Sequence, residues 1–269
     1  MSIGLGYRPG ATSVPTGGGG GAGATPYTLT SITDIPSGAV DGEAGELNGR
    51  IYVLATVTIA AGAGGGTMRM WLPPEVEAGS PEVIGWFDGD EDAATLTAQG
   101  NSALGTIATT GTEIEFLSTG ASSSRFLQST SVATSDRFYF RGLYRGSKTG
   151  GGSIFQFVYL LEGGANDFIS VGSASTGVGF LTSGFSSVGT LRTPVTNVPA
   201  SADPPLLVET VHHGMDVFTE TYGDGQLLAS YRGDLQTAGA GDFVIAPLAY
   251  GGAGGTCQIL ASYQAVLRW

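Results

Sequence analysis

Residues 208–235 read VETVHHGMDVFTETYGDGQLLASYRGDL. Two alternating runs flank Asp224-Gly225, and a two-residue Asp-Gly link between such runs is the strongest short-range signal for a β-hairpin. The same alternation extends in both directions. Residues 136–146, DRFYFRGLYRG, set Phe138, Phe140, Gly142 and Tyr144 against Arg137, Tyr139, Arg141, Leu143 and Arg145. Residues 153–174, SIFQFVYLLEGGANDFISVGSA, read as an apolar strand, a glycine-rich turn and a return strand. In the closing TCQILASYQAVLRW, Cys257, Ile259, Ala261, Tyr263, Ala265, Leu267 and Trp269 alternate with mostly polar residues. Helix signals are nearly absent. The one acidic window that could hold a helix, Glu75 to Glu82, is interrupted by Gly79 and Pro81 and preceded by Pro73-Pro74.

The expected fold is therefore all-β, in three segments. Residues 1–24 carry the short apolar peptide Ile3, Leu5, Tyr7 with Arg8, then a spacer containing five consecutive glycines, Gly17 to Gly21. Residues 25–80 form a small β unit with Asn48-Gly49 as a second hairpin turn. Within it TMRMWL places Met68, Met70 and Leu72 on one face and Arg69 and Trp71 on the other. A unit this small has a thin core and needs a neighbour, or copies of itself, to be stable. Residues 81–269 are the main domain, an antiparallel two-sheet sandwich or jelly roll.

Composition narrows the function classes. The chain has 269 residues, 46 of them glycine, and 41% are hydrophobic, which fits a folded protein with many tight turns. With 23 acidic and 11 basic residues its formal charge is −12. That balance opposes nucleic acid and anionic lipid as partners, because both are bound through a surplus of cations. The lone cysteine, Cys257, precludes a disulfide within one chain. No apolar run approaches the ~20 residues of a membrane helix. The first residues show no basic-then-apolar export signal, so the expectation is a particle protein assembled in the cytoplasm.

His212-His213, the Tyr222, Asp224, Gly225 and Leu227 hairpin, Gly251-Gly252 and the closing strand with Leu267 resemble the second half of a concanavalin A-like jelly roll of the laminin G/pentraxin type. The likeness covers about sixty residues directly and implies this fold for residues 81–269. The order of attachment peptide, glycine-rich spacer, small β adapter and lectin-like domain is similar to fibre and spike proteins of tailed bacteriophages. That resemblance implies a virion-surface protein. Its partners would be other virion proteins (capsid, portal/neck or tail), copies of itself as a homotrimer, and a host-surface polysaccharide.

Candidate sites follow. Ile3, Leu5, Tyr7 and Arg8 are the expected particle-attachment residues, laid into a partner's groove or sheet edge. Arg137, Tyr139, Arg141 and Arg145, extended by Lys148, concentrate cations on one strand face of an acidic protein. Arginine forks bind carboxylates and aromatic rings stack on sugars, so this face is a candidate for an acidic glycan or for a subunit contact. Asp88, Asp90 and Asp92 in WFDGDEDAATL are the one calcium candidate. The EF-hand pattern fails there, and a solvated acidic turn is the plainer reading. No other cofactor is expected. His212 and His213, adjacent on a strand, point to opposite faces and cannot share a metal. Glu113 and Glu115 share a face, as glycoside hydrolysis by paired carboxylates requires. The strand motif of glucanases with this fold is missing, though, and Asp216 and Glu220 likewise lack a third partner. The expectation is a protein that does no chemistry. The alternatives are a capsid decoration or cement protein without a receptor, and a glycan-depolymerising glycosidase.

Overall fold

The computed structural model describes residues 25–89, 97–100, 105–119, 123–128, 132–133, 136–149, 154–162, 168–174, 177–183, 189–191, 205–213, 218–233, 242–251 and 255–269. The strands of the first part are Tyr27–Thr28 (β1), Ala44–Leu47 (β2), Arg50–Ile59 (β3) and Thr67–Leu72 (β4). Next come Glu82–Asp88 (β5), Thr97–Gly100 (β6), Gly105–Thr109 (β7), Ile114–Thr119 (β8), Ser123–Gln128 (β9), Val132–Ala133 (β10), Phe138–Thr149 (β11) and Ile154–Glu162 (β12). The remainder are Phe168–Ala174 (β13), Gly177–Ser183 (β14), Gly189–Leu191 (β15), Leu206–His212 (β16), Phe218–Gly223 (β17), Gln226–Gly233 (β18), Asp242–Gly251 (β19) and Thr256–Arg268 (β20). Helix among the described residues is confined to a 3-10 turn at Ala61–Ala63 and one α-turn, Pro74–Glu77 (α1). Pro74 opens α1 at the position where proline costs no hydrogen bond. No helix among the described residues is long and apolar enough to cross a membrane.

The strands form two sheets, one of 13 strands and one of 7. The larger sheet contains the neighbours β8, β20 and β11, and the smaller contains β9, β19 and β12 in matching order. Each chain-consecutive pair, β8 to β9, β11 to β12 and β19 to β20, therefore passes from one sheet to the other. Such paired winding around a shared core is the jelly-roll arrangement, and the fold is all-β as expected. The larger sheet's inner face is apolar: Phe87, Ile114, Phe116, Phe138, Phe140, Tyr144, Cys257, Ile259 and Val266 are buried. His212 lies directly opposite Phe138 and stacks on it, ring centroids 4.8 Å apart.

Both expected hairpin turns are present. Asn48 and Gly49 have φ of 51° and 85°, and Asp224 and Gly225 have 45° and 79°. Positive φ at both central residues gives the turn type whose twist matches that of the flanking strands.

The small β unit is hydrogen-bonded into the larger sheet. β3 pairs with β5 in parallel at Thr58 and Ile59, and β5 pairs with β20. From there β3 and β4 curl back over the outer face of β20, β11 and β16. We call residues 27–77 the strap. On its underside Val57, Ile59, Met70, Leu72 and Val76 pack with Tyr139, Val211, Tyr263, Ala265 and Leu267 of the jelly roll. On its other face Tyr52, Leu54 and Trp71 pack with Leu29, Ile32, Ala39 and Leu207. Both faces of TMRMWL are thus covered. The second layer that the strap lacks comes from the same chain, which supplies the burial for which copies were the sequence-based alternative.

The strap's edge is visible in the burial pattern of β20. From Cys257 to Ser262 buried and half-buried residues alternate, whereas Tyr263 to Leu267 are all buried. A bulge in the pairing with β11, between Leu143 and Tyr144, skips Ser262. The simple alternation read across 257–269 breaks here. Cys257, Ile259 and Ala261 face inward, while Tyr263, Ala265 and Leu267 face the strap.

Candidate functional site

The strap divides the outer face of β8, β20 and β11 into a covered half and an open half. Cross-strand register places Glu115, Leu260 and Arg145 in one row and Leu117, Gln258 and Ser147 in the next. Glu113 lies one step beyond Ile114 and reaches Arg145, whose Nε donates to Oε1 at 3.1 Å and whose Nη2 donates to Oε2. This is the two-pronged geometry in which a guanidinium and a carboxylate fix each other's orientation. Gln258 donates through Nε2 to Glu115 and accepts at 3.3 Å from the Ser147 hydroxyl. Glu113, Glu115, Arg145 and Gln258 are half-buried, with the Glu113 side chain 13% and the Arg145 side chain 36% exposed, and Ser147 is exposed. The open half is thus a held array of carboxylates, guanidinium, amide and hydroxyl. It can exchange hydrogen bonds with a polyol.

The covered half holds a buried polar cluster. Glu209 of β16 is 0% exposed and Arg141 of β11 is 1% exposed. Glu209 accepts from the Tyr52 hydroxyl at 2.6 Å and from the Tyr139 hydroxyl, and Arg50 Nε lies 3.8 Å away. Arg141 donates to the Trp71 carbonyl and, at 3.1 and 2.8 Å, to the Tyr263 hydroxyl. Burial pushes the Tyr52 and Tyr139 hydroxyls well above the usual tyrosine value and the Glu209 charge adds to it, so both remain proton donors. Arg50 lies over the Tyr222 ring, 3.6 Å from its centroid, and donates to Glu75.

The structure separates the four residues proposed for the cationic strand face. Tyr139 and Arg141 are sealed beneath the strap and cannot meet a glycan. Their strand does alternate, but the strap covers the face that sequence alone leaves bare. Arg145 remains at the surface, paired with Glu113, and Arg137 is exposed. The side chain of Lys148 lies outside the described residues, as do Ile3, Leu5, Tyr7, Arg8, Asp90, Asp92 and Asp216. Asp88 is exposed at the end of β5, and no group of three metal-ligating side chains occurs among the described residues. His212 and His213 do face opposite sides, the first into the core and the second 3.8 Å from Glu220.

Sequence reading overlooked Gln258, Ser147, Arg50, Tyr52, Glu209 and Tyr263. Glu209 had a legible signal, an acid inside the mainly apolar run LLVETVH of a strand buried on both faces. The others depend on register and on the path of the strap, which local pattern does not carry.

No protein-family model matches the chain, and no curated protein matches it. Solved structures do resemble it in strand layout. An alginate lyase, AlgAT5 from polysaccharide lyase family 7, is 11% identical with a TM-score of 0.47, over 64% of this chain and 85% of that one. A lectin from Bauhinia forficata in complex with GalNAc is 12% identical with a TM-score of 0.47, over 68% and 97%. Peanut lectin is 14% identical with a TM-score of 0.47, over 68% and 96%. Likeness at this level assigns no role to any residue of this chain.

Proposed function

We propose that this chain is a non-catalytic glycan-binding protein whose binding face is the open half of the outer sheet. The observation that carries the reading is the row structure there. Glu113, Glu115, Arg145, Ser147 and Gln258 project from neighbouring strands, already oriented by bonds to one another, immediately beyond the line where the strap ends. Sugar hydroxyls are bound by such planar donor and acceptor groups, and groups held in place beforehand lose little entropy on binding. In its finer form the protein is a virion fibre or spike, attached to its particle through Ile3, Leu5, Tyr7 and Arg8 and displaying this face to host-surface polysaccharide. The support for that finer form is the order of segments along the sequence. Several copies on one particle would turn weak single-site binding into firm attachment.

The test is binding of the full chain to a panel of surface polysaccharides, by titration calorimetry and glycan array. Binding to one class of glycan is expected, with Arg145→Ala and Gln258→Ala each weakening it at least about 10-fold, as loss of hydrogen bonds from charged or oriented groups does. Absence of binding to every glycan, or binding indifferent to both substitutions, overturns the reading.

A second reading, depolymerisation, is favoured by one observation: Glu113 and Glu115 lie on the same open face. Each is held by a neighbour, Arg145 or Gln258. Release of reducing ends from a bound polysaccharide, abolished by Glu113→Gln or Glu115→Gln, would replace binding with hydrolysis.

A further inference from the structure

Besides the β3–β5 pairing and the apolar seam, three contacts among the described residues tie this first segment to the jelly roll, and they differ in kind. In the middle is the buried cluster, with Arg50, Tyr52 and the Trp71 carbonyl from the strap meeting Glu209, Tyr139, Arg141 and Tyr263 from the jelly roll. At one end the two hairpin turns lie against each other. A Cβ at Gly225 would stand 3.0 Å from the Asn48 carbonyl oxygen and 3.3 Å from that of Leu47, so a side chain there would press the turns apart, on a backbone whose φ of 79° already favours glycine. At the other end Trp269 packs over Gly79, just past α1, closely enough that a Cβ there would fall within the indole. The backbone of Trp269 is itself held by an N–H to the Arg137 carbonyl at 3.2 Å.

An apolar seam alone specifies one arrangement less sharply, since apolar packing loses uniqueness before it loses stability. A buried carboxylate and guanidinium tolerate no slide, because any shift leaves a charge unpaired in a dry interface. We propose that the Arg50–Tyr52–Glu209–Tyr139–Arg141–Tyr263 cluster is a positional latch. It locks the strap in one register on the jelly roll and makes residues 27–77 a rigid mount rather than a jointed adapter. Tyr27, where the strap begins, is then held at a set orientation to the open face. The latch belongs to the seam alone and is independent of what the open face binds.

Amide hydrogen exchange on the full chain tests it. In the unaltered protein, amides of β3 are expected to be as protected as those of β20. Glu209→Leu is expected to speed exchange in β3 about 100-fold, the size of effect that follows from orphaning a buried ion partner, while β12 and β13 in the other sheet keep their protection. Tyr139→Phe keeps the ring and removes one hydrogen bond to the carboxylate. It is expected to move β3 in the same direction by about 10-fold, and it decides the matter if Glu209→Leu does not fold. The latch is overturned if β3 exchanges far faster than β20 in the unaltered protein. It is equally overturned if the folded variants leave β3 unchanged, or if β3 and β12 lose protection together.

Discussion

Arg141 and Glu209 face each other directly across the β11–β16 ladder, and neither touches solvent. An opposed acid and base in a dry seam have unequal single and joint removal costs. Taking out Arg141 leaves the Trp71 carbonyl and the Tyr263 hydroxyl without their donor and removes the positive charge set opposite Glu209 in the ladder. Arg141→Met is expected to cost about 3 kcal/mol in urea unfolding. Replacing Arg50, Arg141 and Glu209 together by Met, Met and Leu, with Tyr52, Tyr139 and Tyr263 changed to Phe so that no hydroxyl is orphaned, removes the burial cost along with the attraction. This apolar variant is expected to be closer to wild-type stability than Arg141→Met alone.

Gly79 and Trp269 form a second point of contact that depends on the absence of a side chain. Gly79→Ala drives a methyl group into the indole and is expected to cost about 2 kcal/mol, in the range for overpacking a fitted contact. Its signature is non-additivity. Gly79→Ala combined with Trp269→Ala is expected to be no less stable than Trp269→Ala alone, because the methyl then meets open space. Thermal unfolding of the three variants measures this.

These two contacts also mark the limit of what local pattern conveys. The Asn48-Gly49 and Asp224-Gly225 turns were legible because turn chemistry is local: two residues must adopt positive φ, and Asn, Asp and Gly do so readily. The alternation of β11 was legible for the same reason. Which of its faces meets water was not, because that depends on a strap about seventy residues upstream folding back over Tyr139 and Arg141. The bulge at Ser262 is equally silent in sequence, yet it moves Tyr263, Ala265 and Leu267 to the opposite face from Ile259. Of the open half, Glu113, Glu115 and Arg145 could be named from sequence. Their assembly with Gln258 and Ser147 required the cross-strand register.

Glu220 gives the seam's edge a dependence on acid. Burial pushes its carboxyl up, but the nearby His213 ring, a hydrogen bond from the Tyr222 hydroxyl at 3.0 Å and the Arg50 charge outweigh burial and hold it below the usual carboxylate range. A depressed acid contributes stability that is present above its unfolded value of roughly 4.3 and is lost as pH falls through the folded one. Glu220→Gln is therefore expected to lower stability at pH 7, with the loss shrinking as pH falls through the folded value. Urea unfolding at neutral and at acid pH decides it, and equal losses at both would refute the assignment.

Asp224 shows the opposite sign in the neighbouring turn. Burial raises its carboxyl above the ordinary value and the Glu209 charge adds to the rise, with only the Leu207 N–H, bonded to Oδ1 at 2.9 Å, opposing. An acid with a raised folded value penalises folding above that value and ceases to do so once protonated. Asparagine retains what the turn needs. Its Oδ1 can accept from Leu207, and it tolerates the φ of 45° found here. Asp224→Asn is thus expected to raise the melting temperature at pH 7, with the gain shrinking as pH drops and disappearing below roughly pH 3.9, where both states of the wild type carry the proton. Removing one negative charge from a chain of net −12 acts in the same direction at neutral pH. Ionic strength separates the two causes. A general charge effect also fades with added salt, whereas the cost of burying the Asp224 carboxylate persists at high ionic strength.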